Sequence, residues 1–253
     1  MAKYVLIVSM LLGICSELLA KELRISASAY LSEPYVIYEK GELRGGLIKD
    51  IFDSLGAELG VKIHYKDIPR KRVEAGLLSE EIHIAPVAHP QWLSKTFAGR
   101  WTEPLLKIRE LLIVQADSKL NYREPDDLKG QRVGTKLGYH YPLVDAYFQA
   151  GTATRWDVQR VDQNIDMLLK KRIDVCIMHD LVFRYLQKVN PRAKHLRALE
   201  LESEWDVSWA ASPKTPVPLK SLNKFIKEFK KSGQLDQVLS QYRPLDKSRE
   251  QAR

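Results

Sequence analysis

Residues Leu128–Pro142 read LKGQRVGTKLGYHYP. Lys129-Gly130 forms a turn, and Gln131–Thr135 a short strand centred on Val133. Gly138 breaks that strand. Pro142 is suited to open a helix over PLVDAYFQAG, because a first helical position needs no partner for the N–H that proline lacks. A strand, a glycine turn and a helix N-terminus together offer unpaired backbone N–H groups to a ligand's negative group. An ordinary β-to-α turn has the same appearance, so the meaning of the stretch rests on its surroundings.

Downstream, Trp156–Val161 reads as a strand, Ile165–Lys171 as a helix, Ile173–Met178 as a strand and Leu181–Lys188 as a helix. Upstream, Leu23–Ala29 alternates apolar and polar residues and reads as a strand. Gly45–Gly60 carries Leu47, Ile48, Ile51, Leu55 and Leu59 on one helical face, with Gly60 as its stop. Val61–Ile68 is a strand, Arg70–Glu80 a helix and Ile82–Val87 a strand. Each half therefore reads β-α-β-α-β, the pattern of parallel strands joined by crossover helices. The halves share that pattern but no evident sequence repeat. Ile108–Gln115 is an apolar strand between them. Trp205–Ala211 is a further strand, and helices over Leu219–Lys231 and Leu235–Tyr242 close the fold. The polar tail, residues 246–253, is expected to be disordered.

At the start, Lys3 precedes the apolar run YVLIVSMLLGIC, and Ala20 stands at a cleavage position. Residues 1–20 read as a secretory signal peptide, too short for a comfortable membrane span. Cys15 as a lipidation site is disfavoured by bulky Ile14 before it. Cleavage leaves Cys176 alone, so no internal disulfide forms; in the run VCIM it reads as a small buried hydrophobe. The 253 residues carry a net charge of +8, with both signs interspersed as in LKKRID. A basic balance favours acidic ligands or anionic surfaces. Nucleic acid is not an expected partner, since there is no aromatic-plus-basic stripe and no zinc spacing. There is no Gly-x-Ser-x-Gly, Walker loop or HExxH, and the six histidines show no metal-ligand spacing. No catalytic residue, cofactor or metal is expected.

Four segments carry a family resemblance. Glu33–Ile51, EPYVIYEKGELRGGLIKDI, has a Pro-aromatic pair, a glycine turn and then Gly-apolar-x-x-Asp entering a helix. Asp127–Gly138 reads DLKGQRVGTKLG. Asn164–Asp180, NIDMLLKKRIDVCIMHD, places Asp-apolar and then a second Asp after a helix. Phe225–Tyr242 forms a closing helix pair. In this order and spacing they resemble the bacterial extracellular solute-binding proteins of family 3, which feed polar amino acids and similar solutes to ABC importers. The resemblance runs from about Leu23 to Tyr242, nearly the whole mature chain. It implies an α/β fold of the periplasmic-binding-protein-like type II kind, with two lobes joined by a two-strand hinge. Lobe one would hold residues 21–114 plus 205–245, and lobe two residues 115–204, with crossovers near Val114 and Trp205–Ala211. Such a clamp closes because ligand contacts from both lobes favour the closed state. The implied protein is a monomeric, non-enzymatic periplasmic receptor whose partners are a small-molecule solute and an ABC transporter membrane permease.

The same resemblance proposes a site. Tyr35, after Pro34, matches an aromatic residue that packs on ligand, and Tyr30 is a second candidate; core packing is the other reading of both. Tyr139, His140 and Tyr141 follow Gly138 where the family places small hydroxyl residues, and one or two of them can face outward. Asp180 matches the acidic residue that pairs with a substrate amine, though it also suits a helix N-cap. The departure lies at His89–Leu93, HPQWL, where amino-acid binders carry Thr-x-x-Arg. Trp92 stands at the arginine position and cannot serve as a carboxylate clamp. Arg72, in the run Pro69-Arg70-Lys71-Arg72, is the candidate for the missing charge, against a solvated helix face. His89 and Trp92 would line the pocket from lobe one. The aromatic surplus favours a ligand with a flat or apolar part, a cationic ligand included. Two other functions stay open: an extracytoplasmic sensor acting on a separate membrane partner, and a cyclohexadienyl-dehydratase-like enzyme using His89, His140 or Asp180 as acid or base.

Overall fold

The computed structural model describes residues 21–243, apart from the side chain of Glu202. The expected signal peptide and polar tail lie outside the described residues. The first half contains β1 (Glu22–Ser26), β2 (Ile37–Glu39), β3 (Glu42–Gly45), α1 (Leu47–Leu59), β4 (Lys62–Lys66), α2 (Val73–Leu78), β5 (Ile84–Ala88), β6 (Arg100–Trp101) and β7 (Leu106–Gln115). The second contains β8 (Arg132–Lys136), α3 (Asp145–Gln149), β9 (Thr154–Val158), α4 (Asp162–Leu169), β10 (Val175–His179) and α5 (Asp180–Val189). The chain then returns through β11 (Leu196–Ala211), α6 (Leu219–Lys231) and α7 (Gln234–Tyr242).

The main sheet runs β4-β1-β5-β11-β7-β10-β8-β9, with β6 also on β11. β1 lies parallel to β4 and β5, and β8 parallel to β9 and β10. Two parallel trios are thus joined by the antiparallel pair β7 and β11. The end of β11 pairs with β5 and β6, while its start pairs with the far end of β7. Their register shifts between Glu200 and Glu204, which face Leu111 and Arg109. Glu110 therefore sits opposite a bulge, a feature that bends a strand and re-aims its side chains. Val114 lies beyond that point, paired with Arg197 inside the second half's sheet.

Local sequence explains most of this. Along α1 the buried residues Leu47, Ile48, Ile51, Phe52 and Leu55 follow the helical period, and Gly60 caps the helix at φ 63°. Trp209 of β11, wholly buried, packs on Phe52 and Phe225, tying α1 and α6 to one sheet face. The Tyr242 hydroxyl donates to Asp50 Oδ2 at 2.6 Å and accepts from the Gly46 N–H at 3.2 Å, which docks α7 on the first half.

The strand expected over Trp156–Val161 is Thr154–Val158 and the helix expected over Ile165–Lys171 is Asp162–Leu169; three further differences bear on the site. The helix expected over Arg70–Glu80 starts with a single 3-10 turn at Arg70–Arg72 before α2. Strand β11 is sixteen residues long, extending well ahead of Trp205. The helix expected from Pro142 begins only at Asp145. The Tyr141 carbonyl accepts from the Val144 and Asp145 N–H groups, and the Asp145 carboxylate takes the Tyr141 N–H at 2.9 Å. Pro142 therefore lies in a turn, not in the helix.

Candidate functional site

Between the two parallel trios lies a narrow, partly open cleft that the rings of its two walls nearly fill. Two strand ends supply opposite walls. After β5, His89 accepts the Gln91 N–H on Nδ1 at 3.2 Å and Pro90 opens a 3-10 turn, which carries Trp92 inward. After β8, Gly138 at φ 79° turns the chain so that Tyr139 and His140 line the cleft. Tyr30, Arg70 and Leu93 line it from the first half, and His179 from the end of β10.

Rings make the contacts across the cleft. Trp92 stacks on His179, with centroids 5.9 Å apart and planes 19° apart. Tyr30 meets Tyr139 edge to face at 6.5 Å. Beneath His179 lies buried Tyr35, whose hydroxyl is 3.2 Å from Nδ1. His89 packs behind, 4.9 Å from the Trp205 ring and 5.7 Å from Trp92. Such ring pairs add to plain area burial.

The charged groups are few and mostly engaged. Arg70 Nη2 donates to the Trp92 carbonyl at 2.6 Å. Lys136 is only 6 % exposed; its Nζ donates to Ser32 Oγ at 2.6 Å and lies 5.3 Å from the Tyr139 ring. Burial pulls its pKa down to about 7. Burial, with Lys136 nearby, pushes His179 down to about 3, so the ring is neutral at ordinary pH. Glu110 also lines the cleft and is 3 % exposed. Its Oε2 accepts from Ser203 Oγ at 2.7 Å and from Trp205 Nε1 at 3.2 Å, and burial raises its pKa.

The expected residues divide. Tyr30, Trp92, Tyr139 and His140 line the cleft together. His89 and Tyr35 support its wall from behind. Tyr141 is buried beside a smaller cavity, with its hydroxyl accepting the Lys136 N–H at 3.0 Å. Arg72 points elsewhere: its guanidinium pairs with Glu81 on the surface at 2.8 Å, and Arg70 reaches the cleft instead. Asp180 also turns away. It faces β7, accepting the Arg109 N–H at 3.3 Å with Arg109 Nε at 3.9 Å. His179, one residue earlier, pairs with Glu110 across β10 and β7, so those two side chains share the cleft face. β10 ends at His179 and Asp180 is the first residue of α5, so the change from strand to helix separates the two side chains.

The N–H cradle expected after β8 is occupied by the protein itself. The N–H groups of Lys136, Leu137, Tyr139 and Tyr141 all have intramolecular acceptors. Those four groups are therefore engaged, and the stretch reaches the cleft through the Tyr139 and His140 side chains. Sequence reading missed Arg70, Glu110, Lys136 and His179. A lone acid on the Leu112–Val114 face of an apolar strand was the available signal for Glu110. Among the described residues no cluster of His, Cys, Asp or Glu could hold a metal, and no helix is long and apolar enough to cross a membrane.

Two parallel-sheet units bridged by a pair of long strands, with a ring-lined cleft between them, define the type II periplasmic-binding-protein class. The profile of the bacterial extracellular solute-binding proteins, family 3, matches residues 25–244, and the chain belongs to that family. Solved structures agree on the fold. The GluR0 ligand-binding core complexed with L-glutamate superposes with a TM-score of 0.73 at 16 % identity, covering 90 % of this chain and 100 % of that one. An ancestral amino-acid-binding protein, a precursor of cyclohexadienyl dehydratase, gives 0.72 at 18 % identity, covering 88 % and 96 %. A binding component of an ABC transporter from Wolinella succinogenes, complexed with lysine, gives 0.72 at 19 % identity, covering 90 % and 97 %. A comparison with curated protein sequences finds no match. The protein is thus a ligand-binding protein by family, and its structural neighbours are mainly binding proteins.

Proposed function

We propose that the protein is a periplasmic receptor that captures a small polar solute, amino-acid-like or amine-bearing, and delivers it to an ABC importer. The observation that carries this reading is the cleft itself. Its walls come from both halves, and Trp92 with His179 and Tyr30 with Tyr139 meet across it. A ligand held by both walls stabilises the closed form by its differential affinity for that form. In this reading the two lobes, residues 21–114 with 205–245 and residues 115–204, move about the β7–β11 pair, and the register shift near Glu110 supports a bend there. The glutamate and lysine complexes of two structural neighbours fit a solute of amino-acid size. Secretion through a cleaved signal peptide and a monomeric state belong to the same proposal.

The test is a thermal-shift screen of mature protein, stripped of co-purified solute by unfolding and refolding. The panel holds amino acids, polyamines, aromatic acids, peptides and sugars. A ligand at about 100 times its Kd adds roughly 2.7 kcal/mol of stability, a readable shift. One clear hit is the expected result, and silence across the panel overturns the reading.

A second reading is favoured by Glu110 alone. A cleft carboxyl that burial keeps protonated to higher pH is suited to proton transfer, as in an elimination. Turnover of a bound hydroxy acid by purified protein, abolished in Glu110→Gln, would establish it.

A further inference from the structure

We propose that Glu110 on the hinge strand, not the carboxylate that opens α5, anchors a ligand ammonium group, and that the cleft selects an amine with a flat aromatic body. This rests on the receptor reading above and names the solute class of that same cleft.

Position comes first. The shift between Glu200 and Glu204 leaves Glu110 opposite a bulge, and its pairing with His179 puts it on the cleft face. Ser203 and Trp205, on the bulge and beside it, both donate to Oε2. That fixes the carboxyl group from behind. Among the described residues no hydrogen bond is made to Oε1, so one oxygen stays free to accept from a ligand. A charged donor on a held carboxylate is a strong contact, about twice a neutral one.

Competing groups are spent. The Asp180 carboxylate faces β7, with the Arg109 N–H at 3.3 Å and its guanidinium at 3.9 Å, and does not line the cleft. Lys136 is directed at Ser32, and Arg70 donates to the Trp92 carbonyl. His179 stays neutral and so does not repel a cation. The cleft that surrounds Glu110 presents the faces and edges of Tyr30, Trp92 and Tyr139. Rings of this kind attract a desolvated cation and pack on a flat body. The titratable or charged groups that share the cleft with Glu110 are Arg70, His140, His179, Tyr30 and Tyr139; Tyr141 and the Asp145 carboxylate act on it from the corner after β8, and Lys136 lies behind Tyr139.

A sign follows for pH. Burial raises the pKa of Glu110 in the empty cleft, and a bound ammonium lowers it again. Affinity for the amine is therefore full above the empty-state pKa and falls as pH drops through it, with a proton released on binding.

The experiment is calorimetric titration with three probes of one ring body: phenethylamine, phenylalanine and 3-phenylpropionate. Phenethylamine and phenylalanine bind and 3-phenylpropionate does not. Glu110→Gln weakens the two amines by roughly tenfold to a hundredfold. Asp180→Asn changes them less than about threefold, as expected for a group that does not touch the ligand. If Glu110→Gln fails to fold, His140→Gln protein titrated with phenethylamine over a pH series from about 4 to 7, in two buffers of different ionisation heat, reads the proton released by Glu110. Binding of 3-phenylpropionate as tight as that of phenethylamine overturns the proposal. So does amine binding indifferent to Glu110→Gln, or no proton release. If none of the three binds but another panel solute does, the anchor and ligand class are wrong and the receptor reading stands. If nothing binds at all, both fall.

Discussion

The two strand-to-turn corners that face each other across the cleft are built to opposite recipes. After β5, a proline-opened 3-10 turn thrusts Trp92 inward, and the adjoining cation, Arg70, is tied to the Trp92 carbonyl. After β8, a left-handed glycine turn presents Tyr139, and the cation of that corner, Lys136, is buried against Ser32 of the opposite half. One corner keeps its charge near the rim and half-exposed. The other places it in the interior, where burial brings its pKa to about 7. In both, the positive charge serves the protein's own structure and the rings face the ligand space. A cleft with basic residues on both walls is thus not necessarily a cleft for anions.

Removing the ring of the first corner is the sharpest way to break this contrast. Trp92→Ala deletes contacts with His89, His179 and Trp205. It should cost about 3 kcal/mol in urea denaturation, in the range for aromatic truncation. A loss below about 0.5 kcal/mol, the scale of surface changes, would show that the walls stand without their stack.

The buried charge of the second corner is next. The folded pKa of Lys136 lies below its unfolded value, near 10.5. Between those values the unfolded chain binds more protons, so stability rises with pH. From about pH 7 to pH 9 the gain should be roughly 2 kcal/mol, and Lys136→Met should abolish it. Denaturation at both pH values, for both proteins, reads the difference. His179 gives the acid counterpart. Its folded pKa of about 3 lies below the ordinary histidine value, so stability is complete above the unfolded pKa and declines as pH falls towards 3. His179→Gln should flatten that acid limb.

Smaller effects refine the comparison. Ser32→Ala removes the acceptor for Lys136 across the cleft and should cost about 1 kcal/mol, the net value of one hydrogen bond. The smallest effect belongs to the arginine pair. Arg72→Ala breaks only an exposed ion pair with Glu81 and should change stability by less than about 0.5 kcal/mol. Arg70→Ala, which loses the bond to the Trp92 carbonyl, should exceed it in the same assay. Equal effects would mean that the two arginines are interchangeable and that the first corner does not depend on its cation.

Much of the fold was legible because its signals are local. The apolar spacing of α1 with Gly60 as its stop, and the short apolar strands β5 and β10, need no distant partner to be recognised. The start of β11 was not legible, because LRALELESE alternates with charged residues and is stabilised by pairing with β7. The delayed start of α3 depends on Asp145 capturing the Tyr141 N–H, a choice no propensity rule makes. In the site, Tyr30, Trp92, Tyr139 and His140 could be named from motif positions. Arg70 and Arg72 could not be separated, since both lie in one basic run two residues apart. His179 and Asp180 are adjacent, and only the pairing of β10 with β7 and the turn into α5 decide which faces the cleft.

By itself, then, the sequence determined the element types, the two-half α/β plan and the aromatic character of the site, because periodicity and residue type act over a few neighbouring positions. The tertiary structure alone decided which charges reach the cleft. Glu110 enters it through the register shift with β11, while Asp180, Arg72 and Lys136 find partners in Arg109, Glu81 and Ser32. The physical reason is that a charged side chain goes where a partner offsets its loss of water, and two of those partners, Arg109 and Ser32, lie 71 and 104 residues away in sequence.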